Sequence, residues 1–87
     1  MLKVKDGFIL REVAGQIVVI PTADELNLNI MITLNGTGKF LWEHLVKETT
    51  EEALVDALLG EYDVDRATAA QAVTSFVEKL RENDLLD

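Results

Sequence analysis

Side chains able to carry acid–base or nucleophilic chemistry are scarce in this 87-residue sequence, which has one histidine, His44, one serine, Ser75, and no cysteine. A Ser/His/Asp or Cys/His relay needs nucleophile, base and orienting group within hydrogen-bond reach of one another. Ser75 and His44 fall in two separate helical patterns, with His44 on an exposed or boundary face of its own. The acids Glu51, Glu52 and Asp56 could chelate a cation, but negative side chains at a helix start also complement the helix dipole. Neither an EF-hand loop nor a histidine-rich ligand spacing is present. The sequence therefore reads as non-enzymatic, with no metal or cofactor expected.

One segment imitates a nucleotide site. GTGK, Gly36 to Lys39, stands between a strand pattern and a helix pattern, where phosphate-binding loops occur. The earlier glycine of such a loop is replaced by Thr33, and Phe40 stands where a Ser or Thr would hold magnesium. Close packing and the strand-to-helix turn account for these glycines better than phosphate does.

Composition narrows the classes further. With 48% apolar and 28% charged residues, the chain has the makeup of one globular domain spanning residues 1–87. The absence of cysteine fits a reducing compartment, and the cytoplasm is expected. MLKVKDGF lacks the apolar core of a signal peptide, and no apolar run approaches the roughly 18–20 residues that span a bilayer. The formal net charge is −8, with eleven acids against four bases from Leu45 onward. Such a surface repels phosphate backbones, which argues against nucleic acid as a partner.

Few elements are needed to place these residues. FILREV (Phe8 to Val13) and QIVVIP (Gln16 to Pro21) read as strands joined by a tight Ala14-Gly15 connection, the second apolar on both faces and so central. LNIMITLN (Leu28 to Asn35) alternates, with Leu28, Ile30, Ile32 and Leu34 on one face and Asn29, Met31, Thr33 and Asn35 on the other. It forms the outermost strand of a three-stranded antiparallel meander.

Asn35 caps a first helix, with Gly38, Leu41, Trp42 and Leu45 as its buried stripe. Thr49 with Glu52, or Thr50, caps a second that ends near Gly60, with Leu54, Ala57, Leu58 and Tyr62 as its stripe. Asp63 or Asp65 caps a third that ends near Asn83 and buries Ala70, Val73, Val77 and Leu80, with Phe76 at the border. Leu85 and Leu86 fold back onto the core. The expected architecture is α+β and winged-helix-like: three strands, then three helices. A DNA-binding reading of that arrangement finds only Arg66, Gln71 and Lys79 among the alanines of the third helix, whose ends are acidic.

The succession of an apolar hairpin containing IVVIP, a strand ending in TLN, a helix carrying FLW, then TTEEALVDALLGEYDVD and AVTSFVEKLRENDLL resembles the PqqD-like family. That family provides recognition domains for ribosomally made, post-translationally modified peptides and includes proteins of pyrroloquinoline quinone biosynthesis. The resemblance runs from about Phe8 to Leu86. Leu34-Asn35 with Trp42, Thr50-Glu51-Glu52, and Val73, Phe76, Leu80 and Leu85 carry it most specifically.

It implies a peptide chaperone that binds the leader of a precursor peptide by β-strand addition and presents it to a modifying enzyme, typically of the radical SAM type. Carried onto this sequence, the site is Asn29, Ile30, Met31, Ile32 and Thr33 of the outer strand with Arg66, Ala69, Ala72, Val73 and Phe76 of the third helix. Small Ala69 and Ala72 leave room for a leader side chain, Met31 offers adaptable apolar surface, and Arg66 can meet a leader acid. Relatives often carry Asp where Ala72 stands, and Gly where this chain has Asn83-Asp84; Asn tolerates the left-handed helix end.

Two other readings fit the same sequence. A protein-interaction module could use the acidic helical face, and a second copy of the chain could pair through the open third strand to give a homodimer.

Overall fold

The computed structural model describes residues 1–24 and 30–87. Strands β1 (Phe8–Val13) and β2 (Gln16–Pro21) pair antiparallel from Phe8 opposite Pro21 to Val13 opposite Gln16. The connection has positive φ at both residues, 52° at Ala14 and 81° at Gly15. This is the signature of a type I′ turn, whose twist matches that of the strands it joins. Strand β3 (Ile32–Leu34) pairs with the other side of β2, giving the order β1-β2-β3. The apolar run of β2 is central as expected, with Val18, Val19 and Ile20 fully buried.

The outer strand is shorter than the alternation predicts. Ile32 and Leu34 face the core and Thr33 faces out, but Ile30, expected beside Ile32, is 49% exposed. The register pairs Ile17 with Leu34, Val18 with Thr33 and Val19 with Ile32. The next bond, from the Met31 N–H to the Val19 carbonyl at 2.8 Å, falls out of that register, and the alternation ends there. Leu28 and Asn29 lie outside the described residues.

Each helix begins at a polar side chain that accepts an otherwise unpaired N–H. Asn35 Oδ1 accepts from Gly38 at 2.7 Å and starts α1 (Gly36–Leu45), which buries Gly38, Leu41, Trp42 and Leu45 as the spacing predicts. Thr50 Oγ1 accepts from Ala53 at 3.0 Å and starts α2 (Glu51–Glu61). Thr49, the alternative cap, exchanges backbone bonds with Leu2 instead, at 2.7 and 2.8 Å. The buried stripe of α2 is Leu54, Val55 and Leu58; Ala57 is half-buried and Tyr62 is 37% exposed, at the helix end.

Asp65 accepts from Thr68 at 2.7 Å and starts α3 (Arg66–Glu82), which buries Ala69, Val73, Phe76, Val77 and Leu80. Ala70, expected in the stripe, is half-buried, and Ala69 takes the buried place.

The end of α3 satisfies its last carbonyls through the chain reversal. Leu85 N–H donates to the Leu80 carbonyl at 2.8 Å and Asp84 N–H to that of Arg81 at 3.0 Å. This bond pair, with a left-handed residue between helix and Leu85, is the Schellman arrangement. The left-handed residue is Asp84, at φ 57°, and not Asn83, whose φ is −97°. Leu85 returns fully to the core and Leu86 in part.

Residues 2–5, which the pattern reading left without a role, tie the ends together. Val4 N–H donates to the Leu45 carbonyl at 2.9 Å, Lys5 N–H to that of Leu85 at 2.8 Å, and Asp87 N–H to that of Lys3 at 2.7 Å.

The core lies between the helical face of the sheet and the three helices. Val19, Ile32 and Leu34 meet Leu41, Trp42, Leu45, Leu54, Leu58, Val73, Val77 and Leu80. Each such side chain contributes about 1.5–3 kcal/mol on burial, so the helices are fixed to the sheet by the stripes read from sequence. The result is the expected α+β architecture. No described helix is long and apolar enough to cross a membrane.

Candidate functional site

Strand β3 has one edge against β2 and the other toward α3. Between buried Ile32 and Leu34, Thr33 is exposed, and its carbonyl oxygen accepts a hydrogen bond from Lys79 Nζ of α3 at 3.1 Å. In an antiparallel strand the N–H and C=O of one residue point to the same side, so the Thr33 amide N–H also looks away from β2. One donor and one acceptor of the sheet thus face α3, the pair that an added strand engages.

Beside them a groove of about 540 Å³ runs between β3, the N-terminus of α1 and α3. The α3 wall is Ala72, Ser75, Phe76 and Lys79, whose spacing of three, four and seven puts them on one helix face. Leu34 and Leu41 add apolar surface from β3 and α1. Gly38 lets the helices close up here: a Cβ on it would lie 3.3 Å from Phe76 Cε1. Lys79 is the single charged side chain among the described residues of the lining. The arrangement offers backbone pairing along one side and an apolar trough along the other.

The structure brings Thr33, Ala72 and Phe76 together from the set predicted by sequence. Ile30 and Met31 are exposed, at 49% and 39%, near the same strand but outside the lining. Ile32 belongs to the core, and so do Ala69 and Val73, each 1% exposed; none of the three lines the groove. Arg66 sits at the first turn of α3, where its guanidinium pairs with Asp56 of α2 at 2.9 Å on the surface. Asn29 lies outside the described residues.

The groove also takes in Leu34, Asn35, Thr37, Gly38, Leu41, Ser75 and Lys79, which the sequence did not assign to the candidate site. The signal was available: continuing the stripe Ala72–Phe76 by one turn gives Lys79.

Remaining polar groups have local roles. His44 is exposed, its Nδ1 2.9 Å from the Phe40 carbonyl oxygen of the same helix and its ring 4.5 Å from that of Phe40. Asp65 titrates below its ordinary value of 3.8 because its carboxylate accepts hydrogen bonds from the Thr68 side chain and backbone.

In sequence, residues 15–86 match the family described as coenzyme PQQ synthesis protein D (PqqD). No curated protein matches the chain in sequence. In fold, it is similar to TbiB1 in complex with the TbiA(beta) leader peptide: TM-score 0.74, 26% identity, 98% of this chain and 94% of that chain covered. It is also similar to lasso peptide synthetase B1 complexed with the leader peptide, with TM-score 0.74 and coverage of 99% of this chain and 96% of that chain. The identity there is 19%, and that likeness speaks to fold alone.

Proposed function

Because this chain belongs to the PqqD family, we propose that it is a peptide-binding partner protein that holds the leader of a ribosomally made precursor peptide as a fourth strand on β3. The observation that carries this reading is the groove beside Thr33, where an outward-facing amide and carbonyl run alongside the apolar wall of Ala72 and Phe76. Backbone pairing at Thr33 supplies affinity that is indifferent to sequence, and the groove selects every second side chain of the peptide. Ile30 and Met31 extend the apolar surface beyond the strand end. TbiB1, the similar structure at 26% identity, is a complex with a leader peptide, which supports the same use here.

The protein's role is presentation and not chemistry: the bound leader leaves the remainder of the precursor free for a modifying enzyme, a radical SAM enzyme or another of the peptide-modifying classes. The test is an NMR titration of the labelled protein with the leaders of candidate precursor peptides drawn from neighbouring coding regions. Shifts concentrated at Thr33, Ala72, Ser75, Phe76 and Lys79 are expected. Shifts confined to the acidic faces of α2 and α3 would instead identify a protein-interaction module, and absence of binding at millimolar peptide would overturn the reading.

A further inference from the structure

We propose that Lys79 is a specificity residue of the groove: an incoming strand displaces its ammonium group from the Thr33 carbonyl, and that group then pairs with an Asp or Glu of the peptide placed two residues from the apolar side chain that fills the space beside Ala72 and Phe76. The inference rests on the peptide-binding reading above and adds the chemistry of the ligand. Its starting point is the bond from Lys79 Nζ to the Thr33 carbonyl oxygen at 3.1 Å. That oxygen is the acceptor an added strand requires for its own N–H, so strand and ammonium compete for it. Lysine at a sheet edge also blocks pairing with other chains, which gives the free protein a reason to keep it there.

Once displaced, the ammonium lies under the bound peptide with its acceptor gone. Uncompensated, a charged donor in such a place opposes binding; a carboxylate on the peptide removes the penalty and makes the contact attractive. The groove's electrostatics agree. The chain carries −8 overall, yet the single charge among the described lining residues is this lysine. The groove is therefore locally suited to an acid although the rest of the surface repels one.

Spacing sets the position of that acid. Same-face side chains of a strand recur about every 6.6–6.8 Å. Along α3, at about 1.5 Å per residue, Lys79 lies about 4.5 Å beyond Phe76 and about 10.5 Å beyond Ala72. A peptide side chain held between Ala72 and Phe76 therefore has its next same-face neighbour, two residues away, within reach of the flexible Lys79 stem. The motif is an apolar residue and an acid separated by one residue, in an order fixed by the direction in which the peptide runs.

A display library of random twelve-residue peptides, selected separately on the protein and on Lys79→Gln, Lys79→Arg and Lys79→Glu, tests this. Lys79 is exposed, so each variant is expected to fold, and circular dichroism checks it. On the unaltered protein and on Lys79→Arg, enriched peptides should share an apolar position with Asp or Glu two residues away. On Lys79→Gln the apolar position should persist and the acid be lost; on Lys79→Glu it should turn to Lys or Arg. For one selected peptide, Lys79→Gln should weaken binding by about 1.5- to fivefold, the range of an exposed ion pair, and peptide Glu→Lys should restore binding to Lys79→Glu. Enriched peptides that keep the apolar position with no acidic preference, or with the same preference on Lys79→Gln, overturn this proposal and leave the peptide-binding reading standing. Failure to enrich any peptide on the unaltered protein overturns both.

Discussion

Gly38 of α1 and Phe76 of α3 approach so closely that a Cβ on Gly38 would lie 3.3 Å from Phe76 Cε1, and equally 3.3 Å from Leu34 Cβ and Asn35 Oδ1. These are a groove wall, a core residue of β3 and the cap of α1, so one added methyl presses on all three. Alanine gains up to about 1 kcal/mol in helix propensity over glycine, but overpacking costs about 1–3 kcal/mol. Gly38→Ala is expected to destabilise the protein by about 1 kcal/mol in urea denaturation. Phe76 is the neighbour free to yield, toward the groove, so leader affinity should fall as well.

Filling the groove without touching the core separates binding from folding. Ala72 is half-buried and lines the groove from its outer wall. Ala72→Leu occupies the space assigned to a peptide side chain, whose burial is worth about 1.5–3 kcal/mol. Leader affinity, measured by calorimetry, should drop roughly tenfold or more while the thermal midpoint stays within a few degrees of the unaltered protein.

The β1–β2 turn holds an alanine at φ 52°, a left-handed conformation that disfavours a side chain bearing Cβ. Ala14→Asn produces the Asn-Gly pair that type I′ turns prefer. It should stabilise the protein by about 0.5–1 kcal/mol with leader binding unchanged. By the same reasoning Asp84→Gly, at φ 57°, should stabilise by a similar amount. Its carboxylate pairs with Lys5 at 2.8 Å with 88% of the Asp side chain exposed, and losing so exposed a pair subtracts little.

Asp65 links folding to pH. Its carboxyl titrates below 3.8 in the folded chain because the ionised form accepts hydrogen bonds from Thr68 at the start of α3. A lowered folded value means the contribution is present above pH 3.8 and is lost as pH falls through the folded value. Asp65→Asn keeps a capping acceptor that does not titrate. Urea midpoints of the two proteins should agree near pH 6 and diverge in acid, where the unaltered protein should become the weaker.

Much of this molecule follows from residue pattern alone. The turn at Ala14-Gly15, the central place of β2, the Asn35 cap with its stripe Gly38, Leu41, Trp42 and Leu45, and the return of Leu85 each rest on a local rule, and the structure obeys it. The errors lie where a tertiary contact chose between local options. Thr49 and Thr50 are equal as caps in sequence, and the bonds of Leu2 to Thr49 decide between them. Ile30 alternates correctly but falls where the pairing with β2 leaves its register.

The site was legible in part for the same reason. Thr33, Ala72 and Phe76 belong to patterns visible in the chain. Ser75, Lys79 and the α1 side of the groove depend on how far along α3 the strand crosses, which no spacing within one element states. Arg66 and Ala69 lie one to two turns nearer the start of α3 than the groove lining does.

Leader binding by strand addition requires the peptide to pair with the edge of β3 at Thr33. Amide hydrogen exchange of Thr33, read with and without the leader peptide, tests that contact directly. With peptide at ten times its Kd, exchange of the Thr33 amide should slow by about tenfold, because only the unbound fraction exposes it. Unchanged exchange at Thr33 while the peptide is demonstrably bound would contradict strand addition at this edge.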